Sequence, residues 1–214
     1  MKRVVKIDIL MDAAQSYVRI LDKQLINTYG KKKDTLKIII EFKSEHLPHL
    51  IGLDKLDDIK TYIYDQREKT DILNAILTNE IKYEEIQKSE LLHKPSSTND
   101  HGKYTTYDRM MYFSLMIEIL MRDRHDLFDF IDVRYTSIKA DFIIKYNLPK
   151  SNDFMYLFIK KDAHNIGGYI PISFFPSENP NYFRGKKCWK LLLSQLYNDS
   201  KIEYEVYRSS NFKD

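Results

Sequence analysis

The chain has 214 residues, 43% of them hydrophobic and 30% charged, which is the make-up of a folded domain and excludes a disordered tail. Its 34 Lys and Arg stand against 31 Asp and Glu, a net charge of +3, so any phosphate-binding surface has to come from local clustering and not from bulk charge. The one cysteine, Cys188, excludes an internal disulfide and a Cys-rich metal site; with no signal-peptide pattern and no membrane-spanning run, the expected setting is the reducing cytoplasm.

In chain order, apolar residues at three- and four-residue spacing predict a helix over 6–28, closed by Gly30. The β-branched stretch from Thr35 to Phe42 predicts a strand. The segment HLPHLIGLDKL (46–56) follows as a turn shaped by Pro48 and Gly52, leading into helical structure. Residues 56–93 read as mostly helical with a break near Thr70 and Asp71, both good N-cap types. Lys94–Lys103 is a loop by composition. A methionine-rich apolar pattern then predicts a buried helix over 106–130.

After Asp132 the period changes. Strands are predicted over 137–146, 154–161, 169–175 and 201–207, separated by Pro, Gly, Asn and Asp turn signals that favour antiparallel pairing. A short helix is predicted over 182–196. The expected fold class is α+β, one domain spanning 1–214, with a helical N-terminal half, a helical insertion or extension at 56–130, and the main β-sheet region at 131–214.

Common catalytic signatures are missing. There is no GxGxxG, GxxxxGK[ST], HExxH, CxxC or GxSxG. His46 and His49 are three apart, but Pro48 lies between them and no third ligand is near, so no metal or other cofactor is expected.

Three segments carry a resemblance. They are IIIEFKSEHLPHLIGLDKL (38–56), TSIKADFIIKY (136–146), and MYLFIKKD (155–162) with YIPISFFPSENPNYFRGKKCWKLL (169–192). Together they resemble the phage-associated members of the Barnase–EndoU–ColicinE5/D–RelE-like (BECR) nuclease superfamily, nearest to its fourth phage-type group. The resemblance implies helices packed on an antiparallel β-sheet of the BECR ribonuclease type. It also implies a metal-independent endoribonuclease of toxin or phage-defence type that cleaves tRNA or mRNA with the 2′-hydroxyl as nucleophile. Such an enzyme needs only a base, an acid and a cation. An antitoxin or inhibitor protein and a second copy of the chain are the other expected partners.

On that basis His49, Lys139 and Ser173 are the candidate catalytic residues. A histidine side chain can take or give a proton near neutral pH, and His49 lies in a turn after a strand; the plainer alternative is a histidine that caps the following helix or hydrogen-bonds the turn, and His46 competes with it. Lys139 and Asp141 alternate with Ile138 and Ala140 on a strand, where a Lys and an Asp side by side bind phosphate or merely form a wet sheet face. Ser173 is either a phosphate donor or a small polar strand residue. Arg134 and Thr136 precede the Lys-Ala-Asp strand as phosphate contacts. Tyr182, Arg184 and Lys187 form, with Lys186 and Trp189, a basic and aromatic cluster suited to a nucleic-acid strand, unless Trp189 simply packs the core. Two other readings stay open: an inactive binding module of the same fold, and an interaction protein acting through its helical half. The enzyme reading requires His49, Lys139 and Ser173 to converge on one cleft.

Overall fold

The computed structural model describes residues 8–95, 103–122, 125–130, 136–148, 151–210 and 212. Six α-helices are described: α1 (Ile9–Val18), α2 (Leu47–Leu50), α3 (Lys60–Tyr64), α4 (Ile72–Leu77), α5 (Tyr83–Ile86) and α6 (Thr106–Arg122). Eight strands accompany them: β1 (Gln24–Lys31), β2 (Asp34–Glu41), β3 (Asp126–Asp129), β4 (Phe142–Asn147), β5 (Phe154–Lys161), β6 (Gly168–Ser177), β7 (Cys188–Asn198) and β8 (Lys201–Arg208).

The strands run in the order β1-β2-β6-β5-β4-β3-β7, and β7 pairs back onto β1. This closes a seven-stranded barrel, with β8 added outside β7. The expected open antiparallel sheet beneath a helical half is therefore corrected. Closure removes the edges that an open sheet leaves exposed. One pairing, β2 with β6, is parallel.

Three strands escaped the sequence reading, β1, β3 and β7, and the pairing of β1 with β7 is the one that closes the barrel. β1 lies in the stretch read as the end of one long helix, because Leu25 and Ile26 continue the spacing of the genuine helix α1. In the structure α1 stops at Val18, and β1 alternates strictly, burying Leu25, Asn27 and Tyr29. β7 replaces the helix expected over 182–196. Its run Leu191–Leu192–Leu193 has no period of its own, and register shifts within the β1–β7 and β7–β8 pairings disturb the alternation further. The helix expected over 106–130 ends at Arg122, and its tail supplies β3. β4 begins at Phe142, later than expected, so residues 136–141 lead into it without regular pairing.

The main core lies between the helices and one face of the strands. Phe113 of α6 is fully buried and meets Phe174 of β6 edge-on at 5.7 Å and Tyr17 of α1 at 6.0 Å. The opposite face of β4, β5 and β6 carries a second cluster of Ile143, Tyr156, Phe158 and Phe175, covered by Phe130 and Tyr182. Adjacent residues of β5 thus serve opposite cores: Leu157 faces the helices, and Phe158 stacks on Phe175 at 5.2 Å. No helix among the described residues is long and apolar enough to cross a membrane.

Because Phe113 joins α1, α6 and β6, truncating it should leave a cavity at that junction. We expect Phe113→Ala to lower the unfolding free energy by about 3–5 kcal/mol, measured by urea titration; a loss under about 1 kcal/mol would show that α6 is not held to the barrel at this point.

Candidate functional site

The site starts where β2 ends. Tyr17 of α1 donates its hydroxyl hydrogen to the Lys43 carbonyl at 2.7 Å, which fixes the exit of the strand. Leu47, Leu50, Ile51, Leu53 and Leu56 are then buried, so the short turns between them face the core with one side only. The other side carries His49, with 42% of its side chain exposed, and Asp54. Between them Gly52 adopts φ +84°, the left-handed region that favours glycine. A Cβ there would also lie 3.0 Å from Cδ of Arg109, so the turn and α6 approach too closely for a larger residue.

Asp54 is the anchor of this turn. Its carboxylate lies 3.2 Å from His49 Nδ1, accepts from Lys69 Nζ at 3.0 Å, and accepts a short hydrogen bond from the Tyr64 hydroxyl. Burial pushes its pKa up, but the hydrogen bonds from His49, Tyr64 and Lys69 outweigh that and hold the carboxyl well below the usual range. An ionised carboxylate at Nδ1 favours the tautomer that carries its hydrogen there, which leaves Nε2 as a bare acceptor.

His46 takes a different role. Its Nδ1 accepts the Lys43 backbone N–H at 3.1 Å, and burial lowers its pKa. A neutral ring that caps a turn through Nδ1 is a structural group. The structure thus separates two histidines that the sequence pattern left equivalent.

His49, Lys139 and Ser173 line one cleft of about 420 Å³. Lys55, Arg109 and Lys160 line it too, so four cations face this space and its lining includes no carboxylate. Ser173 arrives through a β-bulge: Phe158 pairs with Ser173 and Ile159 with Pro171, leaving Ile172 unpaired. The bulge turns both Ile172 and Ser173 to the cleft, a use of bulges seen beside functional sites. Lys139 is exposed and sits in the irregular segment before β4, not on a regular strand; Ile138 and Ala140 pack against the second core as the alternation implied.

Arg109 is the most unusual member. It is 2% exposed, donates from Nη1 to the His49 carbonyl at 3.4 Å, and lies 5.7 Å from the Phe175 ring centre. Burial lowers its pKa to about 10, but it is still charged at neutral pH.

The remaining expected residues lie elsewhere. Thr136 and Asp141 line a neighbouring cavity; Thr136 Oγ1 accepts from the Ile138 N–H and Asp141 from the Lys161 N–H at 2.7 Å. Tyr182 is fully buried within the second aromatic core, where its ring cannot stack on a base. Arg184 is exposed and Lys187 covers the Trp189 ring at 3.9 Å, and neither lines the cleft. Arg134 lies outside the described residues. Missed altogether were Asp54, Lys55, Arg109 and Lys160. Arg109 did leave a signal: it stands at the buried spacing of α6, with Thr106, Met110, Phe113 and Met116.

A buried arginine, three lysines and a carboxylate-paired histidine thus line one cleft. The family model for the phage-Barnase-EndoU-ColicinE5/D-RelE like nuclease4 proteins matches residues 9–211, and the chain belongs to that family. The matched span includes residues 56–130. Comparisons with curated proteins and with solved structures gave no match.

The Asp54 network has a signed consequence for stability. A carboxyl whose folded pKa is depressed stabilises the fold above its unfolded pKa, near 3.8, and this contribution is lost as pH falls through the folded value. Asp54→Asn should therefore melt below the wild type at pH 7, and the two melting temperatures should converge as the solution is acidified below pH 4. Parallel curves would show that Asp54 contributes nothing through its charge.

Proposed function

We propose that this protein is an endoribonuclease in which His49 is the general base. The observation that carries the reading is the His49–Asp54 pair opening onto a cleft lined by Lys55, Arg109, Lys139 and Lys160. The 2′-hydroxyl of a bound RNA gives its proton to His49 Nε2 and its oxygen attacks the adjacent phosphorus. The P–O5′ bond breaks, leaving a 2′,3′-cyclic phosphate on one product. The Lys139 ammonium gives the proton that the departing 5′ oxygen takes up. Arg109 faces the charge that develops on the phosphoryl oxygens, where a preorganised, desolvated cation acts most strongly. Ser173 donates its hydroxyl hydrogen to one of those oxygens.

This scheme uses no metal, and among the described residues no three His, Cys, Asp or Glu side chains gather as a metal site. Toxin or phage-defence action, tRNA or mRNA as the target, and an antitoxin or inhibitor as partner are part of the proposal. The convergence of His49, Lys139 and Ser173 favours the enzyme over an inactive binding module, which has no need to place a carboxylate-oriented histidine beside the cations.

The test is incubation with tRNA and mRNA in EDTA, alongside the same RNA with 2′-deoxy substitution. Cleavage of the first and not the second is expected. His49→Ala should lower the rate on the order of 10²–10⁴-fold at a temperature where the variant is still folded. Cleavage of the deoxy substrate would exclude the 2′-hydroxyl as nucleophile, and full activity in His49→Ala would remove His49 from the chemistry.

A further inference from the structure

A second cavity, larger than the cationic cleft, lies beside it. It is a neighbouring space of about 940 Å³ that the proposed chemistry leaves unused. Its walls come from one end of the barrel: Leu36 near the start of β2, Asp129 at the end of β3, Phe142 at the start of β4, Tyr169 at the start of β6 and Trp189 at the start of β7. It is thus the mouth of the barrel, a usual place for a small ligand. Ser137, Ile138, Lys139 and Lys160 line both the mouth and the cationic cleft, so the two spaces share a wall.

The two spaces differ in chemistry. The cleft presents cations and no carboxylate, whereas the mouth adds to Lys139, Lys160 and Lys161 the rings of Phe142, Tyr169 and Trp189 and two carboxylates, Asp129 and Asp141. Each carboxylate is held by one oxygen. Asp129 Oδ1 accepts from Trp189 Nε1 at 2.8 Å, and Asp141 Oδ2 accepts from the Lys161 N–H. These bonds fix the carboxylates in place and leave Oδ2 of Asp129 and Oδ1 of Asp141 as acceptors. Flat apolar walls with oriented acceptors suit a planar, amino-bearing ring.

We propose that the barrel mouth is a nucleobase subsite that selects bases carrying an exocyclic amino group over uracil. Its place beside the scissile phosphate rests on the ribonuclease reading; its affinity for a base does not. Phe142, the partly exposed ring, stacks on any base beside the buried rings of Tyr169 and Trp189, and the carboxylates supply the discrimination. Adenine, cytosine and guanine each offer an amino donor, whereas uracil offers two carbonyls around a single N–H and meets the carboxylates with like polarity.

Trp189 is the sole tryptophan of the chain and lines the mouth, so its emission reports on this space directly. Adenosine, cytidine and uridine are the probes, because nucleosides carry no phosphate and do not draw on the cationic cleft. Adenosine and cytidine should quench Trp189 saturably, with affinities about tenfold above that of uridine. Asp141→Asn replaces an acceptor by a donor while its amide carbonyl can still accept from Lys161, so the preference should fall or reverse toward uridine. Asp129→Asn serves as the second variant and should shift it in the same direction. Nucleoside-independent emission, equal affinity for cytidine and uridine, or an unchanged preference in both variants would overturn the proposal. Nucleoside binding by a protein that cleaves no RNA would instead sink the ribonuclease reading and leave the mouth standing. RNA cleavage without any nucleoside response would sink the mouth alone.

Discussion

Burial of Arg109 is the constraint around which the site is arranged. Removing a charged side chain from water costs several kcal/mol even after the protein relaxes, so a guanidinium 2% exposed is retained for a reason other than stability alone. Its position ties three parts together. It projects from α6, donates to the carbonyl of His49 in the turn after β2, and lies near Phe175 on β6. Gly52, at φ +84°, favours glycine by its backbone, and a Cβ there would press on the side chains of Arg109 and Thr106 of α6. Helix, turn and barrel are thus registered against one another at the point where a cation is presented to the cleft.

Around that fixed charge the mobile groups are graded. His49 is half exposed but oriented through Nδ1 by a carboxylate that is itself held by Tyr64 and Lys69. Ser173 is buried and aimed by a bulge. Lys139 and Lys160 are exposed and also border the barrel mouth. With Lys55 and Arg109 they place four cations on one cleft. This explains how a chain of net charge +3 can present a strongly cationic cleft: the surplus is local.

Much of the helical and strand content was legible because period and composition agreed, as in β2, β5 and α6. The barrel was not. Closure depends on β1 and β7, and both lie in stretches whose leucines fit a helix as well as a strand. Their bulges and the burial of polar Asn27 and Ser194 blur the alternation that would have separated the two. Nor does any local pattern announce that β7 returns to β1, since that pairing joins residues far apart in sequence. His49, Lys139 and Ser173 were candidates through the family resemblance together with residue chemistry, and all three line one cleft. The groups that orient and surround them were harder to see: Asp54 looked like one more surface carboxylate, and Lys160 like the polar end of a strand. Tyr182 shows the opposite failure, an aromatic beside basic residues that looks like a base-stacking group and is core.

The central claim is that Asp54 holds the His49 ring with its hydrogen on Nδ1 and Nε2 bare toward the cations. Nitrogen-15 NMR of the histidine side chains reads this directly. Above the ring's titration, the account predicts that His49 shows a protonated Nδ1 and an unprotonated Nε2, and that Asp54→Asn abolishes that preference. A His49 ring protonated at Nε2, or one whose tautomer is unchanged in Asp54→Asn, would contradict it.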